Sequence, residues 1–162
     1  MGRRQELEKR QSLLARFGRM VAAETHLDSL LTIIAEEVRN ILGADRCSVF
    51  VVDSYKGELW TKIALGMEEK ILRIPLGQGI AGFVAKTGSA VNIRDAYRDT
   101  RFAQDLDRIT GYQTRTVLAV PLRGRDGKAL GVFEVLNKSK GAFTEEDEGL
   151  LRILATMAAT FI

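Results

Sequence analysis

Cysteine and histidine are almost missing from this chain of 162 residues, which has one of each, Cys47 and His26. One cysteine excludes an internal disulfide and a cysteine-built zinc site. One histidine excludes a histidine cluster and removes the commonest metalloenzyme chemistry. Proline is scarce as well, and two prolines with fifteen glycines argue against a long disordered segment. No apolar run reaches the roughly 18 to 20 residues of a membrane span. The opening Met1-Gly2-Arg3-Arg4 leads into Glu6, Glu8, Lys9 and Arg10 rather than an apolar stretch, so the signal-peptide pattern is lacking. These absences predict a reduced, cytoplasmic protein without catalytic residues or a metal. The length suits one hydrophobic core and is short for two.

What charge there is lies unevenly. Residues 1–19 carry Arg3, Arg4, Lys9, Arg10, Arg16 and Arg19 against Glu6 and Glu8, a net +4, while the remainder has 18 basic and 19 acidic residues, a net −1. Leu7, Leu14, Phe17 and Val21 fall near heptad spacing in this basic arm, with Leu13 and Met20 beside them. Residues 1–26 therefore read as a basic amphipathic connector helix that pairs or packs. A solvated helix and a polyanion-binding one are the alternatives. No aromatic–basic interleaving supports nucleic-acid binding.

From residue 27 the pattern is that of one α+β domain running to 162. Leu30, Leu31, Ile33, Ile34, Val38, Ile41 and Leu42 recur at helical spacing, with Asp28 as the expected N-cap and Gly43 as the stop. Residues 46–53 and 59–65 read as a hairpin, 68–70 as a turn, and 71–74 as a third strand closed by Pro75. A two-turn helix precedes Gly88, and 91–93 is a very short strand. Phe102, Leu106 and Ile109 mark a short helix on a long polar connection. Residues 116–122 and 129–136 are strands around a turn at Asp126-Gly127. A last helix starts near Thr144, where Asp147 approximates a capping box. It still shows an apolar face at Phe161, and the expectation is a domain cut from a longer polypeptide with helical connectors at both ends.

Hairpins flanked by helices imply a sheet packed by helices on one face. The polar connection 94–114 is the natural cover for the other face and can enclose a small cavity. Strand 129–136 is apolar except for Glu134, which alternation places with Val132 and Leu136, opposite Phe133 and Val135. A carboxylate there needs a partner or a ligand, unless it sits on an exposed edge. The same alternation turns Cys47 away from Ser48 and toward the helices. Gly77, Gly79 and Gly82 surround Ile80 and Ala81, either as a tight strand-to-helix turn or as an anion cradle. Without a following Gly-Lys-Ser/Thr they do not form a P-loop.

These segments together resemble the GAF family, and within it the cyclic-nucleotide-binding branch found in phosphodiesterases and bacterial adenylyl cyclases. The resemblance rests on Asn137-Lys138, Phe143 and Asp147-Glu148, and on residues 46–50, 74–82, 92–97 and 110–116, and it covers about residues 27–162. It implies a central antiparallel sheet of about six strands, with terminal helices on one face and a ligand cover on the other. By the same resemblance, Arg46 and Ser48 face base or phosphate, and Ile80 and Ala81 offer backbone N–H groups to a cyclic phosphate. Asp107, Thr110 and Thr114 touch base and phosphoribose, and Glu134 lies near the ligand. Ala103 stands where some relatives carry a larger contact, which implies a roomier pocket. Asn137, Lys138, Phe143, Asp147 and Glu148 become a structural clamp, with Lys138 paired to Asp147. Bilin and haem, bound by some relatives, lack the cysteine or histidine they need after residue 48. His26 and Trp60 read as packing residues, and Tyr112 has stacking potential.

The resemblance implies a regulatory sensory domain that binds cyclic AMP or cyclic GMP and passes occupancy to an effector domain. A homodimer through the connector helices is expected, with no membrane insertion. The alternative is a dimerisation domain with a vestigial pocket. Residue types do not choose between adenine and guanine.

Overall fold

A computed structural model describes residues 2–23, 26–66 and 71–162 of the chain. Six strands form one antiparallel sheet in the order β3-β2-β1-β6-β5-β4. In chain order they are β1 (Ala44–Asp53), β2 (Glu58–Leu65), β3 (Arg73–Pro75), β4 (Val91–Ile93), β5 (Val117–Arg123) and β6 (Ala129–Lys138). The helices are α1 (Arg3–Ala23), α2 (Leu27–Leu42), α3 (Gly79–Thr87), α4 (Asp105–Thr110) and α5 (Glu145–Ala159), with a short 3-10 turn at Ala96–Arg98. This is the α+β architecture expected from the sequence, including the helices on one face of the sheet.

Strand alternation divides the core in two. On one face α2 and α5 pack Leu31, Ile34, Val38, Leu151 and Leu154 against Cys47, Val49, Phe133 and Val135. On the other, α3 sets Ile80, Ala81 and Val84 against Phe50, Val117 and Val132. The central strands run close together at Gly131, where a Cβ would stand 2.1 Å from the Phe50 carbonyl oxygen, so only glycine fits. The β1–β2 turn is fastened by Asp53 Oδ1, which accepts from the Tyr55 and Lys56 N–H groups.

Two boundaries differ from the sequence expectation for a local reason, and the start of the last helix falls at Thr144 as expected. Asp28 lies in the first turn of α2 rather than at its N-cap, which is His26, and its carboxylate meets Lys62 Nζ at 2.8 Å. The third strand includes Pro75, which an edge strand tolerates because one side needs no N–H. The capping box of α5 is complete: Thr144 accepts from the Asp147 N–H at 3.0 Å, and Asp147 Oδ2 accepts from the Thr144 N–H at 2.9 Å. The expected turn at 68–70, and the side chains of Leu13, Phe17, Met20 and Val21, lie outside the described residues.

Candidate functional site

The sheet face opposite α2 and α5 carries a cavity of about 350 Å³, within the range of small-molecule sites. Its floor is sheet: Arg46, Ser48 and Phe50 project from β1, Glu134 and Leu136 from β6, and Val117 from β5. The start of α3 forms one side with Ile80 and Ala81, and β2 and β3 form another with Thr61 and Ile74. Phe102, Ala103 and Leu106 of the long connection, and Asp107 with them, close over it. The walls are mostly apolar, and polar groups are confined to a few points.

Each polar point has its own local cause. Glu134 stands mid-strand, in register with Ser48 on β1 and Ala119 on β5. No hydrogen bond or ion pair reaches its carboxyl among the described residues, so it faces only the cavity, and burial pushes its pKa up to about 7. Arg46 lays its guanidinium carbon 3.4 Å from the centre of the Tyr112 ring. Its buried Nε has no acceptor, a donor the fold leaves unspent. Ile80 and Ala81 sit in the first turn of α3, where backbone N–H groups lack partners within the helix, and the Gln78 side chain supplies no cap.

The cover is pinned by Asp107. Its Oδ2 accepts from Tyr97 Oη at 2.7 Å and from the Thr114 N–H at 2.8 Å, while Oδ1 accepts from Thr114 Oγ1 at 2.9 Å. Both residues border the cavity, yet they spend their polar groups on each other. Thr110 is a correction: it is exposed at the end of α4, outside the cavity wall, and its hydroxyl donates to the Leu106 carbonyl. The last turn of so short a helix points it outward.

Outside the cavity, Asn137 fastens the segment that follows the cover. Its Oδ1 accepts from the Arg115 and Thr116 N–H groups, and its Nδ2 donates to Tyr112 Oη and the Gln113 carbonyl. Tyr112 Oη in turn donates to Asp45 at 2.7 Å. Burial, and then that bond, push Tyr112 up to about 12. Lys138 Nζ meets Asp147 Oδ2 at 2.5 Å, joining β6 to α5. The Phe143 carbonyl accepts from Asn92 Nδ2, which ties the loop before α5 to β4. Glu148 departs from the expected clamp, since it pairs with Arg152 one turn along α5.

Sequence reasoning missed Thr61, Ile74, Phe102 and Leu106 as walls, and Tyr97 as the partner of Asp107. The apolar spacing of Phe102 and Leu106 was visible and marks a face turned inward. Tyr97 closes the 92–97 segment that carried the resemblance, but nothing in the sequence paired it with Asp107.

A sheet with helices on one face and a mostly apolar cavity with sparse polar points on the other is an architecture that can hold a small molecule. The chain belongs to the GAF domain family, which matches residues 26–162. It is 35% identical over 146 residues to a protein of Takifugu rubripes described as dual 3',5'-cyclic-AMP and -GMP phosphodiesterase 11A, a match covering 82% of this chain and 16% of that protein. The chain thus spans a small part of the length of such relatives. Among solved structures it resembles the GAF domain of a phosphoenolpyruvate-protein phosphotransferase from Coxiella burnetii, with a TM-score of 0.85, 24% identity and coverage of 94% of this chain and 92% of that one. It also resembles a free methionine-R-sulfoxide reductase from Neisseria meningitidis, with a TM-score of 0.80, 24% identity and coverage of 94% and 87%. At these identities the likeness is one of fold.

Here the only thiol, Cys47, is turned to the helix-packed core, and burial pushes its pKa up. This GAF domain is a regulatory sensory module. No helix among the described residues is long and apolar enough to cross a membrane.

Proposed function

We propose that the cavity binds a cyclic purine nucleotide, cyclic AMP or cyclic GMP, and that occupancy is relayed through the terminal helices to an effector domain of a longer chain. The observation that carries this reading is the pairing of unspent polar groups around one apolar space. Unpaired N–H groups at the start of α3 and the Nε of Arg46 suit an anion. The Glu134 carboxyl, with Ser48 beside it, suits a hydrogen-bonding base or sugar. The apolar walls between suit a purine ring. Kinship with phosphodiesterases named for both cyclic nucleotides supports the same ligand class.

Melting the protein with added nucleotide tests it. A ligand that binds only the folded state stabilises it by mass action, by about 2.7 kcal/mol at a hundredfold excess over Kd. Cyclic AMP or cyclic GMP raises the melting temperature saturably, while the linear monophosphates, with a second ionisable phosphate oxygen, do so weakly. No shift with either cyclic nucleotide, in protein freed of copurified ligand, makes this a structural GAF domain with a vestigial pocket.

A further inference from the structure

Glu134 is the cavity carboxyl whose partner the fold does not supply. The other charged groups bordering the cavity are Arg46 from β1, Arg73 from β3, and Asp105 and Asp107 from the connection, while α3 and β5 place none on its walls. Arg46 is stacked on Tyr112, Arg73 is bonded to Glu58 at 2.9 Å, and Asp107 is held by Tyr97 and Thr114. Asp105 lies in the exposed first turn of α4. Cys47 adjoins Ser48 but sits on the opposite face of β1. A ligand that fills this space therefore meets Glu134 as a free carboxyl.

A carboxyl group offers two hydrogen-bonding patterns. Neutral, it has a donor beside an acceptor, and ionised, it has acceptors only. The purines differ in the same way along the edge read in base pairing. Adenine sets its amino donor beside a ring-nitrogen acceptor, whereas guanine sets a ring N–H between its amino donor and a carbonyl acceptor, so a neutral carboxyl pairs with either purine and a carboxylate finds two adjacent donors only on guanine. An anionic phosphate avoids a second carboxylate and goes to the N–H groups of α3, which leaves the base for Glu134.

Resting on the reading that the cavity takes a cyclic purine nucleotide, we infer that Glu134 reads the base: its neutral carboxyl takes either purine, its carboxylate selects guanine, and the preference of the cavity follows pH. Burial raises this group to about 7, and no ion pair to its carboxyl is made among the described residues.

Calorimetric titration of the full chain with cyclic AMP and with cyclic GMP, from about pH 6 to about pH 8, tests the inference. The ratio of the two dissociation constants moves toward cyclic GMP from the acid to the alkaline end, by about tenfold or more. Glu134→Gln, whose amide carries a donor and an acceptor at every pH, pairs with either purine and holds the ratio constant across the series. Should that variant fail to fold, the wild-type series decides alone. A wild-type ratio that stays constant with pH overturns the inference and leaves the ligand class standing. Binding of neither nucleotide at any pH removes the ligand class, and the inference with it.

Discussion

Asn137 holds φ at 56°, the only non-glycine among the described residues in the left-handed region, where a short polar side chain is tolerated. That turn lets one amide make the four hydrogen bonds that anchor residues 112–116, so a residue outside the cavity sets where the cover ends. Inside it, Glu134 carries a prediction about stability. Its pKa rises from 4.5 to about 7 on folding, so between those values the folded protein holds a proton that the unfolded chain has released. The associated stability is complete below about 4.5 and is lost as pH rises through about 7. Melting of the ligand-free protein falls across that window, and Glu134→Gln flattens the fall, leaving the variant the more stable protein at alkaline pH. Equal pH profiles for the two proteins would sink the assignment. Glu134 was legible in the sequence because it is the single ionisable residue within the apolar run 129–136. Thr110 was misread because a six-residue helix shows too few apolar positions to fix which way each side chain turns.

At the scale of elements, the crossing from β6 to α5 is held by one carboxylate with two tasks. Asp147 caps the helix through Thr144 and pairs with Lys138, and both partners share its Oδ2. Removing Lys138 leaves the cap in place, while removing Asp147 takes both. Lys138→Ala therefore costs roughly 1–2 kcal/mol and Asp147→Ala roughly 2–3 kcal/mol. Chemical denaturation gives the order, and a Lys138→Ala loss equal to or larger than that of Asp147→Ala contradicts the shared-task reading. Most elements were legible for simple reasons: α2 and α3 stop at Gly43 and Gly88, both with positive φ, and alternation sorted the faces of β1 and β6. The walls contributed by β2 were not. Val49 pairs with Ile63 and Phe50 with Thr61, which leaves Lys62 as an extra residue, and the bulge turns both Thr61 and Ala64 to the cavity. A period-two reading cannot anticipate a bulge, because the extra residue is set by pairing with another strand.

Across the whole molecule, one sheet separates the cavity from the terminal helices. Ser48 borders the cavity while Cys47 and Val49 beside it pack under α2 and α5, and Glu134 stands likewise between Phe133 and Val135. A shift of β1 or β6 on ligand binding thus has a short physical route to the helices. Of the described apolar side chains of α1, Leu14 packs at the margin of the helix-side core and Leu7 is half exposed. A helix so polar is marginal alone in water, so the heptad-spaced leucines are expected to pair with those of a second copy. Sedimentation of the full chain at micromolar concentration is expected to show a dimer, and deletion of residues 2–20 a monomer that still folds. A monomeric full chain removes the pairing. If the cavity communicates with that pairing, linkage requires the effect in both directions: cyclic nucleotide changes the dimer dissociation constant by the factor that separates its affinity for monomer and dimer. Sedimentation with and without saturating ligand measures that factor, and a value of one places the output of the domain elsewhere than at α1.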